Sequence, residues 1–257
     1  VGPTGSGKTY LAQTLARRPR LAQARLAAGR PHHLTLLLSL RLVFGVNLAG
    51  RAGNPSGVCA GRSMTLFLHA GLPKTGSSSI QTLMFTERAR LARLGIRYWD
   101  FSERHSRPLS VLFKSAEKEN IRALTKRYGD PSVIRASLQR LFAEPGSVLI
   151  SGEGITTLRP EQLKELQRLS GREVRVIAYV REPRSWYTSG VQQKIKTGST
   201  FEEAVAARSY YQKRLGDLIE AYGRDRVDAR LYVSSSDGKA LIQDFLQALG
   251  LDPHAFD

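Results

Sequence analysis

From residue 64 onward, the chain alternates short apolar runs with longer amphipathic stretches. The short runs have the length of buried strands, and the longer stretches repeat apolar positions at the spacing of a helix. The predicted strands are Thr65 to Ala70, Ser147 to Ser151, Glu173 to Val180 and Val227 to Val233. The predicted helices cover 77–91, 117–128, 132–142, 160–169, 183–194, 200–222 and 238–249. The segment Ile96 to Trp99 and a predicted loop with His105 and Pro108 lie between the first two strands. This alternation predicts an α/β domain with a parallel sheet and helices on both faces.

A loop rich in glycine and hydroxyl side chains follows the first strand, from Gly71 to Gly76. The helix that begins after it should bind an anion, because its first N–H groups have no partner within the helix and its dipole is positive there. Lys74 adds a mobile ammonium group. The pattern therefore predicts a P-loop-type, three-layer domain. Its expected phosphate or sulfate site consists of Lys74, Thr75, Gly76, Ser77 and Ser78.

A second phosphate loop lies at the start of the chain. Gly2 to Thr9 satisfies the full G-x-x-x-x-G-K-[ST] pattern, and residues 1–17 resemble the Walker A segment of the ATP-binding subunit of the Clp protease. A buried strand normally delivers the chain into such a loop, and here only Val1 precedes the first glycine. The sequence also offers no later apolar strand ending in an aspartate that would hold magnesium. We therefore expect this loop not to be the working site.

The first 63 residues differ in composition from the rest. They hold nine Lys or Arg and no Asp or Glu, whereas residues 64–257 hold 30 basic and 22 acidic residues. A targeting segment, a membrane anchor and a non-native extension are the alternatives. The apolar run Leu34 to Ala49 is interrupted by Arg41 and Asn47, and it is shorter than the ~20 residues of a membrane span. We expect an extension without function, with the folded domain covering 64–257.

Bulk features narrow the function classes. Cys59 is the only cysteine and the five histidines show no ligand spacing, so neither disulfides nor a metal site is expected in the domain. The net charge of +17 suits an anionic ligand, although a solvated basic surface gives the same composition. We expect a cytoplasmic protein that acts on small molecules, with no nucleic acid partner and no stable membrane span.

The segment around Arg181 is similar to the second signature of sulfotransferases that use 3′-phosphoadenosine 5′-phosphosulfate (PAPS). In that family an arginine at the end of a strand and a serine eight positions later hold the 3′-phosphate, and Arg181 and Ser189 have this separation. The loop from Leu72 to Ser78 resembles the family's 5′-phosphosulfate loop. The resemblance covers most of residues 64–257 and is closest to bacterial members. It implies that PAPS is the co-substrate and adenosine 3′,5′-bisphosphate the product.

The resemblance also suggests a general base. Sulfotransferases place a His or Glu after a strand to receive the acceptor's proton, and Glu153 follows the predicted strand Ser147 to Ser151. Lys74 would stabilise charge on the other side of the reacting group. Because ligands bind beyond the carboxyl ends of parallel strands, Lys74, Glu153 and Arg181 should converge. A capping or ion-paired carboxylate is the alternative for Glu153, and His69, after an apolar strand, is expected to be structural.

The predicted activity is transfer of a sulfuryl group from PAPS to a hydroxyl of a carbohydrate or glycolipid. The basic, glycine-containing loop that closes on the nucleotide in cytosolic members has no recognisable counterpart before Asp257. Truncation at the C-terminus therefore stays open. Two other functions also stay open on the sequence alone: a P-loop ATPase that uses Gly2 to Thr9, and a catalytically inactive module that binds nucleotides or acidic polymers.

Overall fold

The computed structural model describes residues 64–114, 118–205, 211–232 and 238–256 of the 257-residue chain. Several sequence features fall elsewhere. The loop Gly2 to Thr9, the run Leu34 to Ala49 and Cys59 lie outside the described residues. The same holds for Glu117 and Val233, at which a helix and a strand are predicted to begin and end.

Five strands form one parallel sheet in the order β2-β3-β1-β4-β5. In chain order they are β1 (Thr65–Ala70), β2 (Ile96–Tyr98), β3 (Ser147–Gly152), β4 (Glu173–Arg181) and β5 (Val227–Tyr232). The central strand is β1, where Leu68 stands opposite Ile150 of β3 and Val176 of β4. Every residue of β1 is buried, as expected of a strand covered on both faces.

Helices connect the strands. They are α1 (Ser77–Thr86), α2 (Arg88–Arg93), α3 (Ser106–Phe113), α4 (Glu119–Tyr128), α5 (Pro131–Ala143), α6 (Pro160–Ser170), α7 (Pro183–Lys196), α8 (Phe201–Val205), α9 (Tyr211–Tyr222) and α10 (Lys239–Ala248). Single 3₁₀ turns cover Glu153–Thr157 and Arg224–Arg226. Within the described ranges, none of these helices has the length and apolar character that crossing a membrane requires.

The apolar side chains of the strands point to two cores. On one face of the sheet, Phe67, Leu149 and Ile177 pack with α1 and α10, which contribute Ile80 and Phe245. The alternate positions of the same strands are equally buried and point to the other face. There α9 contacts both α6 and β4. The predicted fold class is confirmed: this is an α/β, P-loop-type, three-layer domain with a central parallel sheet and helices on both faces.

Two local predictions were wrong. The structure has helix α3 where the sequence predicted a loop with His105 and Pro108. Pro108 is the third residue of α3, where a backbone N–H has no intrahelical partner, so proline is tolerated. The helix predicted over 77–91 is two helices, because Glu87 leaves helical geometry with φ −88° and ψ 14°.

The helix predicted over 200–222 corresponds to α8 and α9, and residues 206–210 between them lie outside the described part.

A polar cluster ties α10 to the sheet. Asp244 on α10 accepts hydrogen bonds from the hydroxyl of Tyr179 on β4 at 2.6 Å and from Arg230 on β5 at 2.7 and 2.6 Å. The Arg230 contact is bidentate, the stronger form of a carboxylate and arginine pair. Burial and the neighbouring carboxylate of Asp244 raise the pKa of Tyr179. The phenol therefore stays a donor, and the cluster fixes α10 against β4 and β5.

Candidate functional site

Three neighbouring strands end at the same edge of the sheet. In the order β3-β1-β4, their carboxyl ends lead into the 3₁₀ turn at Glu153, the loop at Gly71 and residue Arg181. This edge is where open α/β sheets bind ligands. The sheet order thus brings together segments that are far apart in the sequence.

The loop after β1 has an unusual backbone. Lys74 has a φ of 66°, which is left-handed and uncommon for a residue with a side chain, and Gly76 has a φ of 72°. A Cβ on Gly76 would lie 2.4 Å from a side-chain carbon of Leu241, so a side chain there would have to displace Leu241 as well as adopt a positive φ. Such alternating conformations turn successive N–H groups toward one concave point that accommodates an anion.

The N-terminus of α1 continues this surface. Among the described residues, no side chain caps the first N–H groups of the helix. Ser78 is exposed at this end, while Thr75 and Ser77 are buried. The Thr75 hydroxyl donates to the carbonyl of Leu72 at 2.7 Å, and the Ser77 hydroxyl contacts the same carbonyl at 3.5 Å. These two hydroxyl contacts hold the loop from inside, while the Ser78 side chain is exposed.

Lys74 is held by contacts to α7 and β4. Its ammonium group donates to the side-chain oxygen of Gln193 on α7 at 3.0 Å, and its main-chain carbonyl accepts from Nη1 of Arg181 at 3.2 Å. Arg181 also lies over the ring of Tyr232, with 5.5 Å between the guanidinium carbon and the ring centre. This distance is within the range of a cation–π contact. The two motifs predicted to bind the nucleotide are therefore in direct contact.

A further arginine lies at the same edge. Arg214 on α9 donates to the hydroxyl of Thr156 in the 3₁₀ turn at 3.3 Å. Burial raises the pKa of Tyr211, and the nearby charges of Arg181 and Arg214 oppose that rise. Arg181 at the end of β4 and Arg214 on α9 thus both act on Tyr211. The positive charges of Arg181 and Arg214 favour an anionic ligand at this edge.

Glu153 lies beside the loop. A Cβ built on Gly71 would come within 3.0 Å of Cγ of Glu153 and 2.8 Å of Oγ of Ser77. The absence of a side chain at Gly71 therefore allows the glutamate to approach the start of the loop. Glu153 is exposed and opens the 3₁₀ turn. A carboxylate at this position can accept a proton from a ligand bound at the loop.

Ser189 is the remaining residue of the predicted site. It is half-buried on α7, the helix that follows Arg181 directly. Its role, like the roles of Lys74, Thr75, Gly76, Ser77, Ser78, Glu153 and Arg181, stays a prediction.

His69 is buried in the core. Its Nδ1 atom lies 2.7 Å from the hydroxyl of Ser151, and its ring packs 5.0 Å from the ring of Phe245. Burial lowers its pKa to about 3, so the imidazole is neutral near pH 7. Because the ring is 0 % exposed, it is not accessible to a ligand at the edge of the sheet.

Several contacts at the site were not predicted from the sequence. Gln193 and Tyr232 touch Lys74 and Arg181, yet neither belongs to a recognisable motif. His105 and Ser106 pack against the residues around Glu153. Only the sheet order, which sets which loops are neighbours, could have indicated them.

The fold and the loop define a P-loop-type α/β domain. No protein-family model matches the sequence, and no curated protein matches it. Among solved structures, the chain is similar to a sulfotransferase from Alicyclobacillus acidocaldarius, with 14% identity, a TM-score of 0.44 and coverage of 76% of this chain and 83% of that one. It is also similar to the sulfotransferase domain of the Synechococcus PCC 7002 olefin synthase, with 17% identity, a TM-score of 0.38 and coverage of 76% and 74%. A third similar structure is the shikimate kinase from Bacteroides thetaiotaomicron, with 14% identity, a TM-score of 0.39 and coverage of 73% and 99%.

Proposed function

We propose that this chain is a PAPS-dependent sulfotransferase that moves a sulfuryl group to a hydroxyl of a carbohydrate or glycolipid. The observation that carries the proposal is the hydrogen bond from Arg181 to the Lys74 carbonyl, at 3.2 Å. It joins the two segments that resemble the family's nucleotide-binding motifs. In this proposal the working domain is 64–257, and residues 1–63 take no part.

The loop residues bind the 5′-phosphosulfate. Its anionic oxygens meet the N–H groups at the start of α1, Ser78 and the ammonium of Lys74, while Thr75 and Ser77 keep the loop in shape. Gly76 lets the backbone pass at positive φ. A helix N-terminus without a side-chain cap suits this anion.

Arg181 and Ser189 bind the 3′-phosphate. Arginine offers a planar fork of donors that matches phosphate oxygens, and the serine hydroxyl two turns along α7 adds a further donor. This pair distinguishes PAPS from ATP, which has no 3′-phosphate. The contact of Arg181 with Tyr232 keeps the guanidinium near the loop in the absence of a nucleotide.

The transfer uses Glu153 and Lys74 on opposite sides of the sulfur. The acceptor oxygen forms a bond to sulfur while Glu153 takes its proton, and the bond from sulfur to the bridging oxygen breaks. The electron pair of that bond stays on the 5′-phosphate of adenosine 3′,5′-bisphosphate. Lys74 stabilises the charge that develops on the bridging oxygen.

A nucleotide panel tests the proposal. The shift in unfolding midpoint should be large with adenosine 3′,5′-bisphosphate and much smaller with adenosine 5′-monophosphate, ATP and GTP, because only the first carries a 3′-phosphate. Equal shifts for all four nucleotides would refute the proposal. A shift with ATP alone would favour a nucleotide triphosphatase.

A further inference from the structure

Strand β3 extends beyond the strand that borders it on one side. β2 pairs with β3 only as far as Tyr98 opposite Leu149, whereas β3 continues to Gly152. On its other side, β3 remains paired with β1 up to Ala70 opposite Gly152. Within the described part of the chain, the last residues of β3 therefore lack a strand neighbour on the β2 side, immediately before Glu153.

His105 takes the place of that missing strand. Its backbone N–H donates to the carbonyl of Ser151 at 3.1 Å, and the N–H of Ser151 donates to Nδ1 of His105 at 2.8 Å. The Nε2 atom lies 2.7 Å from the carbonyl of Trp99, so it carries the proton. Both ring nitrogens are thus engaged, and the ring is fully buried.

Ser106 contacts Gly154, the residue that follows Glu153. The N–H of Gly154 donates to Oγ of Ser106 at 2.9 Å. A Cβ on Gly152 would lie 2.8 Å from the nitrogen of Ser106, and a Cβ on Gly154 would lie 3.0 Å from its Cα. The start of α3 therefore packs so closely against this turn that glycine is needed on both sides of Glu153.

We infer that His105 and Ser106 are positioning residues that hold the backbone of Glu153 in place for proton transfer. The inference rests on the proposed function. The contacts fix Ser151 before the glutamate and Gly154 after it. The exposed carboxylate then moves only through its own side-chain torsions, and a catalytic group held in this way reacts faster than one on a mobile loop.

The first test is kinetic. Ser106→Ala should lower kcat roughly tenfold and leave the KM for PAPS unchanged, because it loosens the base without touching the nucleotide. Ser110→Ala is the matched control, since the Ser110 hydroxyl on the same helix donates only to the carbonyl of Ser106. It should retain kcat. A loss of kcat in the control equal to that in Ser106→Ala would overturn the inference.

A double-mutant cycle separates positioning from an independent effect. If Ser106 acts through Glu153, then adding Ser106→Ala to Glu153→Gln should produce little further loss of kcat. Fully additive losses would overturn the inference and leave the proposed function intact. Absence of sulfuryl transfer by the unmodified chain would overturn both.

Hydrogen exchange gives a readout that does not depend on activity. Ser106→Ala should speed exchange of the Gly154 N–H, which loses its acceptor. His105→Asn keeps an acceptor for the Ser151 N–H and should retain more kcat than His105→Ala. Unchanged exchange at Gly154 in Ser106→Ala, or equal kcat in the two His105 variants at equal thermal stability, would overturn the inference that His105 and Ser106 position Glu153.

Discussion

The Nη1 atom of Arg181 donates a hydrogen bond to the main-chain carbonyl of Lys74 at 3.2 Å. The two residues are 107 positions apart in the chain and meet because β1 and β4 are neighbours in the sheet. The bond attaches Arg181 to the loop that follows β1. A change at Arg181 should therefore affect both ends of a bound nucleotide.

Replacement of Arg181 tests this directly. Arg181→Ala should weaken binding of adenosine 3′,5′-bisphosphate by about 10- to 150-fold, the loss of a charge-assisted contact of roughly 1.5–3 kcal/mol. Arg181→Lys should recover only part of this affinity, because it keeps the charge and loses the fork. Isothermal titration measures both. Arg140→Ala, an exposed arginine on α5, is the control, and undiminished affinity in Arg181→Ala would place the 3′-phosphate elsewhere.

Because Lys74 has a positive φ, the effect of its backbone conformation on stability can be tested separately from the effect of its ammonium group on turnover. Lys74→Gly should be more stable than Lys74→Ala by about 1 kcal/mol, because glycine adopts a φ of 66° without strain. Both variants should lose turnover by about 10²-fold or more while binding the bisphosphate with a smaller loss, since the ammonium acts mainly on the developing charge. Urea unfolding measures the difference in stability, and steady-state kinetics measure the loss of turnover. Turnover retained in Lys74→Gly would remove the lysine from the chemistry.

Two buried histidines predict how stability depends on pH. Burial lowers the pKa of both His69 and His105 to about 3, from 6.5 in the unfolded chain. Between pH 6.5 and 3 the unfolded state binds a proton at each site and the folded state does not, so stability falls as the pH falls. Above pH 6.5 this contribution is constant.

The size of the effect is bounded by linkage. Each histidine should lower the free energy of unfolding by at most about 1.4 kcal/mol per pH unit in that window. Urea titrations at pH 7, 6 and 5 measure the slope, and His69→Asn should reduce it. The same slope in that variant would mean that His69 is not a source of the pH dependence.

How much of this molecule the sequence predicts depends on the separation of the interacting residues. The strand Thr65 to Ala70 and the loop with Lys74 were predictable because apolar runs and glycine-rich turns are local patterns. The same holds for Arg181, which ends an apolar run. The partner of Lys74, Gln193, lies 119 positions away in an ordinary polar stretch of α7, so no local pattern identifies it.

For helix α3, a local pattern was present but indicated the wrong structure. Pro108 indicated a loop, yet proline fits the first turn of a helix as well as it fits a loop. What decides the outcome is the contact of His105 with Ser151, 46 positions away. Tertiary packing outweighs local propensity there, and only the three-dimensional structure shows it.

The cluster around Asp244 is predicted to be structural. Asp244→Ala should lower the free energy of unfolding by about 2–3 kcal/mol, because it leaves the Tyr179 hydroxyl without its acceptor and removes the bidentate partner of Arg230, which keeps its pair with Asp228. Asp217→Ala, which removes only the surface pair with Lys213, should cost less than about 0.5 kcal/mol. Urea unfolding compares the two. Equal losses would show that the cluster adds nothing beyond a surface ion pair.

The last prediction separates the two phosphate loops of the sequence. Deletion of residues 1–63, or Lys8→Ala in the full chain, should leave folding, bisphosphate binding and sulfuryl transfer intact. The reason is that the loop with Lys74 follows the central strand β1, which is paired with β3 on one side and β4 on the other. Lys74→Ala, the matched change, should be severe in the same assays. If Lys8→Ala abolished an ATPase activity that Lys74→Ala left untouched, Gly2 to Thr9 would be the working site and the sulfotransferase proposal would fall.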